Sequence, residues 1–226
     1  MQRRSQRNSP GLDRRLEFSM QVRGNENPFD AISKVETEGT VFLGPDEWNF
    51  KTKTTIDKTV GVLSHAGKMI VSADFTADND DGFINIIADN VVLNGIRISG
   101  KGSVGRGIYI KANNVKILNC VIEGFFAGIQ VEQSSFVKIE GNTFVNNGTL
   151  GIQVTRSSAC QVVNNIIVGT PTNKGIFMDS STTNSLILGN VLPSADLSYT
   201  HTGKANQPNN ATNAAFTNVA NSITVS

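Results

Sequence analysis

The chain is poor in the residues that most often carry chemistry in a small protein. Two cysteines among 226 residues, Cys120 and Cys160, give neither a disulfide framework nor a metal-binding spacing. Histidine occurs only at His65 and His201, and tryptophan only at Trp48. Charged residues make up 17% of the chain, so neutral polar groups cover most of the surface. No apolar run approaches a membrane span, and none follows the N-terminal arginines. Neither a secretory signal nor membrane contact is therefore expected.

What is plentiful is hydrophobic matter, 38% of the chain, together with 21 glycines and many Asn, Thr, Ser, Ile and Val residues. That mixture favours strands and tight turns over helices. Charge is segregated. Residues 1–24 hold six arginines against Asp13 and Glu17, a net of +4, and a total of +1 leaves −3 on the rest. Residues 1–28 read as a basic extended arm, either a solvated terminus or an anchor ordered on docking to an acidic partner. Arg3, Arg4, Arg7, Arg14 and Arg15 suit a carboxylate-rich protein surface, because guanidinium groups form paired planar hydrogen bonds. Nucleic acid ranks lower as the partner, since the body has no matching basic face.

A repeat decides the fold class. From Gly82 a unit recurs five times with a period of 21 to 25 residues. Its first strand reads Ile84-Asn85-Ile86, Ile108-Tyr109-Ile110, Ile129-Gln130-Val131, Ile152-Gln153-Val154 and Ile176-Phe177-Met178. The outer residues of each triplet face inward and the middle one outward, the alternation of a strand with one buried face. A second strand follows (Val91-Val92-Leu93, Val115-Lys116-Ile117, Val137-Lys138-Ile139, Cys160-Gln161-Val162, Ser185-Leu186-Ile187). Two residues beyond it stands a column of Gly95, Asn119, Gly141, Asn164 and Gly189. Only Gly and Asn accept a left-handed backbone cheaply, so each coil turns a corner there. A third strand buries Ile98, Ile122, Phe144, Ile167 and Leu192. Just after the corner come Ile96, Cys120, Asn142, Asn165 and Asn190. The three asparagines can pass amide hydrogen bonds between coils about 4.8 Å apart. The gaps between strands are too short for crossover helices, and the period is too short for a propeller. The chain is expected to be an all-β, right-handed parallel β-helix with about 22–25 residues per coil.

These coils, with their Gly/Asn corners and asparagine ladder, resemble the pectate-lyase-like β-helix superfamily. The stretch Asp30-Ala31-Ile32 through Glu38-Gly39-Thr40-Val41-Phe42-Leu43-Gly44-Pro45 is similar to that superfamily's usual beginning, a short helix capping the open stack. The resemblance spans about residues 29–192, with residues 29–60, including Trp48 and Phe50, as the cap. Residues 193–226 are then an Asn/Thr/Ala-rich tail, too polar for a core of its own, which packs on the last coil or exchanges with a neighbour. The superfamily hosts pectinases, tailspikes, adhesins and non-enzymatic virion proteins, so fold does not choose among them.

The superfamily's catalytic patterns are incomplete here. Polygalacturonase-like enzymes use Asn-Thr-Asp and Arg-Ile-Lys, where this chain has Asn142-Thr143-Phe144 and Arg97-Ile98-Ser99. A calcium-dependent lyase needs adjacent carboxylates on the first-strand face. The outward columns read Asn85, Tyr109, Gln130, Gln153, Phe177 and Ile87, Lys111, Glu132, Thr155, Asp179, in which Lys111 and Glu132 are expected to make a cross-coil ion pair. A glycosidase needs two carboxyls about 5–9.5 Å apart, but Glu123, Glu132, Glu140 and Asp179 fall on different faces. Asp78, Asp80 and Asp81 make a solvated loop or a weak cation site, not an EF-hand. No catalytic residue, metal ligand or cofactor site is assigned. The column Asn85, Tyr109, Gln130, Gln153 and Phe177 is the candidate binding surface, exposed amides and aromatics that suit sugars or a neighbouring subunit. Phe125 and Phe126 suggest an apolar interface patch. The expected function is a virion structural protein of a tailed phage or similar virus (a head decoration, fibre or spike component). It would be a homotrimer held to other virion proteins by its arm, and a binder of surface glycans. The alternatives are a carbohydrate-active enzyme of the same superfamily and a non-cleaving adhesin.

Overall fold

The computed structural model describes residues 19–72, 75, 81–102, 105–169, 175–191 and 199–201. The five arm arginines named above, Asp78, Asp80, Leu192 and most of the C-terminal tail lie outside them. The described chain winds as a right-handed parallel β-helix with three sheets.

Sheet I contains Thr54–Ile56, Gly82–Ile86, Arg106–Ile110, Ala127–Glu132, Leu150–Thr155, Ile176–Met178 and Tyr199–His201. Sheet II contains Ser19–Val22, Thr40–Leu43, Gly61–Ser64, Val92–Asn94, Lys116–Leu118, Lys138–Glu140, Gln161–Val163 and Leu186–Leu188. Sheet III contains Glu47–Phe50, Lys68–Val71, Arg97–Ser99, Val121–Glu123, Thr143–Val145 and Ile166–Val168. Ile84, Ile108, Ile129, Ile152 and Ile176 stand in register, each fully buried.

The coils begin earlier than the repeat suggests. Residues 40–71 contribute strands to all three sheets, so Trp48 and Phe50 belong to a sheet III strand and not to a cap. Those early coils have no left-handed residue at the corner between sheets II and III; they turn there through Gly44–Asp46 and His65–Gly67 instead. The helix Pro28–Lys34 covers the stack's first end, with Asn27 capping it through its side chain and Pro28 in the first turn. The arm expected over residues 1–28 gives way by Ser19. Residues 19–22 pair with Thr40–Leu43, because that edge needs hydrogen-bond partners and Val22 has a core position to fill. Beyond residue 192, Tyr199–His201 pairs with Ile176–Met178.

From Val92 onward the corner between sheets II and III is uniform. Gly95, Asn119, Gly141, Asn164 and Gly189 all have φ between 52° and 73°. Directly after it, the Asn142 amide nitrogen donates to Asn165 Oδ1 at 3.0 Å, and that of Asn165 to Asn190 Oδ1 at 2.9 Å. Each of those oxygens also accepts the backbone N–H of the previous asparagine, at 2.9 Å. Each amide nitrogen reaches a carbonyl as well, Ile117, Ile139 or Val162. Cys120 closes one end by donating its backbone N–H to Asn142 Oδ1 at 2.8 Å.

A hydroxyl ladder does similar work at the corner between sheets I and II. Ser134 Oγ accepts from Ala112 N–H, and Ser157 Oγ accepts from Ser134 N–H. Both cysteines are buried free thiols. Burial pushes the Cys120 thiol up to about 11. Phe125 points inward, contrary to the patch expected for it. A Cβ on Gly100 would come within 2.7 Å of its ring and one on Gly107 within 3.0 Å, so these two glycines make room for it. Phe126 remains exposed.

Candidate functional site

The outer face of sheet I is more closed than alternation implies. Asn85, Tyr109 and Gln130 are only 5–6% exposed, while Gln153 and Phe177 are half-buried. This corrects the expectation of an open column. The side chains are flat, stack at the coil spacing, and are roofed by longer polar neighbours that the residue pattern did not place over them.

Glu132 is at the centre. Its side chain lies almost wholly inside, yet its Oε2 accepts the Tyr109 hydroxyl at 2.6 Å and the Gln130 amide at 3.3 Å. The Arg156 guanidinium pairs with Oε1. The Lys111–Glu132 pair expected from the register does not form; Lys111 is exposed and Arg156 takes its place. Arg156 sits at φ +50°, past the end of its strand. That left-handed backbone turns a residue from the corner back over the sheet. Alternation cannot forecast it, because it assumes extended backbone.

Towards the first coils the cluster opens into a shallow groove of about 330 Å³ lined by Thr55, Asp81, Asn85, Ile87, Tyr109 and Lys111. Asn85 is bound to its own strand, accepting from Gly82 N–H and donating to Gly82 O. Asp81 pairs with Lys53. Arg106 lies 6.0 Å from the Tyr109 ring centre. Gln130 Oε1 is a buried acceptor without a protein partner. The groove therefore offers an aromatic edge and ions of both signs, a mixture suited to hydroxyl-rich ligands.

The other carboxylates lie elsewhere. Asp179 is at the corner beyond sheet I. Burial alone would raise it, but the Thr182 and Ser181 hydroxyls and the Arg156 backbone N–H outweigh that and hold it below its ordinary value. Glu123 faces out from sheet III. Burial opposes its ionisation, but a hydrogen bond from Ser99 and the charges of Arg97 and Lys68 lower it overall. Among the described residues no group of three His, Cys, Asp or Glu side chains is placed to hold a metal, and no helix is long and apolar enough to cross a membrane.

Several solved structures share this architecture. The catalytic domain of a GH87 α-1,3-glucanase in complex with nigerose matches with a TM-score of 0.62 at 16% identity, covering 83% of this chain and 38% of that one. ORF18 of Geobacillus virus E2 matches with a TM-score of 0.62 at 13% identity, covering 72% and 38%. The A-module of the Azotobacter vinelandii mannuronan C-5 epimerase AlgE6 matches with a TM-score of 0.51 at 15% identity, covering 72% and 57%. The chain thus spans well under two thirds of each of these structures. No curated protein matches. The family model for the right handed beta helix region matches residues 44–192, more than half of the chain, and the protein belongs to that family.

Proposed function

We propose that this protein is a non-enzymatic structural component of a virus particle, a decoration, fibre or spike element whose sheet I groove binds surface glycans. The observation that carries this reading is the state of Glu132. It is the most deeply buried carboxylate of the groove face, and Tyr109, Gln130 and Arg156 all donate to it. A carboxylate held by a guanidinium, a hydroxyl and an amide at once serves here as a brace for the sheet I face rather than as a proton donor. The likeness to a viral open reading frame product supports the assignment. On this reading the basic arm anchors the solenoid to a carboxylate-rich surface of another virion protein, and three copies assemble together.

A second reading is a carbohydrate-active enzyme. The short Tyr109–Glu132 hydrogen bond favours it, because such a pair can relay a proton. One experiment separates the two. The purified protein is incubated with α-1,3-glucan, alginate, pectin and bacterial capsule, and both retention and new reducing or unsaturated ends are measured. Retention without new ends, reduced by Lys111→Ala, is expected. Turnover abolished by Glu132→Gln would establish the second reading in its place.

A further inference from the structure

The first end of the solenoid carries two adjoining depressions that the groove on sheet I does not involve. The larger, about 810 Å³, lies over the outer face of sheet II and is walled by Met20, Phe42, Leu43, Pro45 and Leu63. Phe42 is 42% exposed within it, a large aromatic ring left partly uncovered. The smaller, about 350 Å³, shares Met20 and Gln21 with the first and carries the carboxylates of Glu26 and Asp30. Ser19, the first residue described, itself lines the larger depression.

Charge marks the same end. Residues 19–50 hold six acidic residues (Glu26, Asp30, Glu36, Glu38, Asp46, Glu47) against Arg23 and Lys34, a net of −4. Residues 1–18 hold five arginines against Asp13 and Glu17, a net of +3, and carry Leu12, Leu16 and Phe18 within seven residues of Ser19. Seven extended residues reach about 23 Å, ample to fold back over a few strand widths of about 4.8 Å each.

We infer that residues 1–18 dock on their own solenoid. Leu12, Leu16 and Phe18 fill the apolar depression beside Phe42, and the arginines lie on the acidic rim formed by Glu26 and Asp30. The covalent link at Ser19 gives the segment a high local concentration at this site, so weak contacts suffice to hold it. In the free protein the arm is therefore latched, and whatever partner receives it must compete with this intramolecular site.

Trypsin cleavage after Arg14 and Arg15 in the intact chain, followed by mass spectrometry, tests the latch. Cleavage there is expected to be about tenfold slower than in a peptide of residues 1–18, because it requires local release. Phe42→Ser and, separately, Leu16→Ser should each restore the peptide rate. Leu16→Ser leaves every described strand unaltered, so it reads the latch even if Phe42→Ser perturbs folding. Cleavage of the unaltered chain at the peptide rate would overturn the inference. So would protection that survives Leu16→Ser, or protection lost on about hundredfold dilution, which would place the arm on a second copy.

Discussion

Replacing Asn165 with leucine is the most direct probe of the ladder. The side chain is fully buried, and leucine has nearly its shape, so the cost comes from hydrogen bonds rather than a cavity. Asn165 Oδ1 is the acceptor for the Asn142 backbone N–H at 2.9 Å and the Asn142 amide at 3.0 Å. Its nitrogen serves Asn190 Oδ1 and the Ile139 carbonyl. Asn142's amide keeps Ile117, and Asn190 Oδ1 keeps the residue 165 backbone N–H. The Asn142 N–H is then left without its partner, and the Ile139 carbonyl loses one of its donors. At about 1–3 kcal/mol for each buried group deprived of a partner, the loss is about 2–5 kcal/mol. For a domain of this size that lowers the melting temperature by about 5–15 °C. Coils couple only to their neighbours, so hydrogen exchange should accelerate most at the amides of Cys120, Asn142 and Asn165. A melting temperature unchanged within about a degree, or exchange unaltered at Asn142, would refute the reasoning.

Other outcomes follow from the same structure. Cys120→Asn should extend the ladder by one rung, since an amide there can reach Asn142 Oδ1 and the Leu93 carbonyl that the thiol approaches at 3.8 Å; calorimetry should show equal or higher stability. Because burial raises the Cys120 thiol to about 11, a disulfide reagent at pH 8 should leave it unmodified until the chain is denatured. Phe136 is 63% exposed at φ +59°, and Phe136→Asn should stabilise by about 0.5–1 kcal/mol, read from denaturant midpoints. Asp179 is held below its ordinary 3.8, so its contribution is present above that value and lost as pH falls through the lower folded value. Acid titration of Asp179→Asn should lack that component, and a profile identical to the parent's would contradict it.

The coils from Gly82 onward were legible because three chemical constraints repeat together: buried apolar pairs, left-handed corners and buried amides. The two coils before them share the first constraint only. Their corner bends through three residues, 44–46 and 65–67, with no left-handed position to mark it. In addition, residues 72–81 stretch one coil beyond the period. A second corner column, Asn90, Asn114, Phe136, Ala159 and Asn184, is left-handed throughout, but Phe and Ala hide it from any reading based on residue type. The candidate site was legible in its column and not in its exposure. Whether Tyr109 faces solvent depends on Glu132 and Arg156, and Arg156 is brought over the sheet by a backbone conformation that its own identity does not demand.

The ladders also govern where the molecule can change. From residue 94 to 166 the link between sheets II and III is two residues long in every coil (95–96, 119–120, 141–142, 164–165). The link between sheets I and II is five residues long in four successive coils, 87–91, 111–115, 133–137 and 156–160. The link from sheet III back to sheet I ranges from three residues at 124–126 to ten at 72–81. An added residue at either laddered corner would pull a buried amide or hydroxyl out of line with its partner one coil away, whereas among the described residues the third corner shows one such side-chain link, from Phe125 N–H to Asn147 Oδ1. Sequence can therefore be gained or lost along a single longitudinal edge while the shaft keeps its pitch and cross-section. A rod built this way can alter the surface it presents along that edge without redesigning the rod.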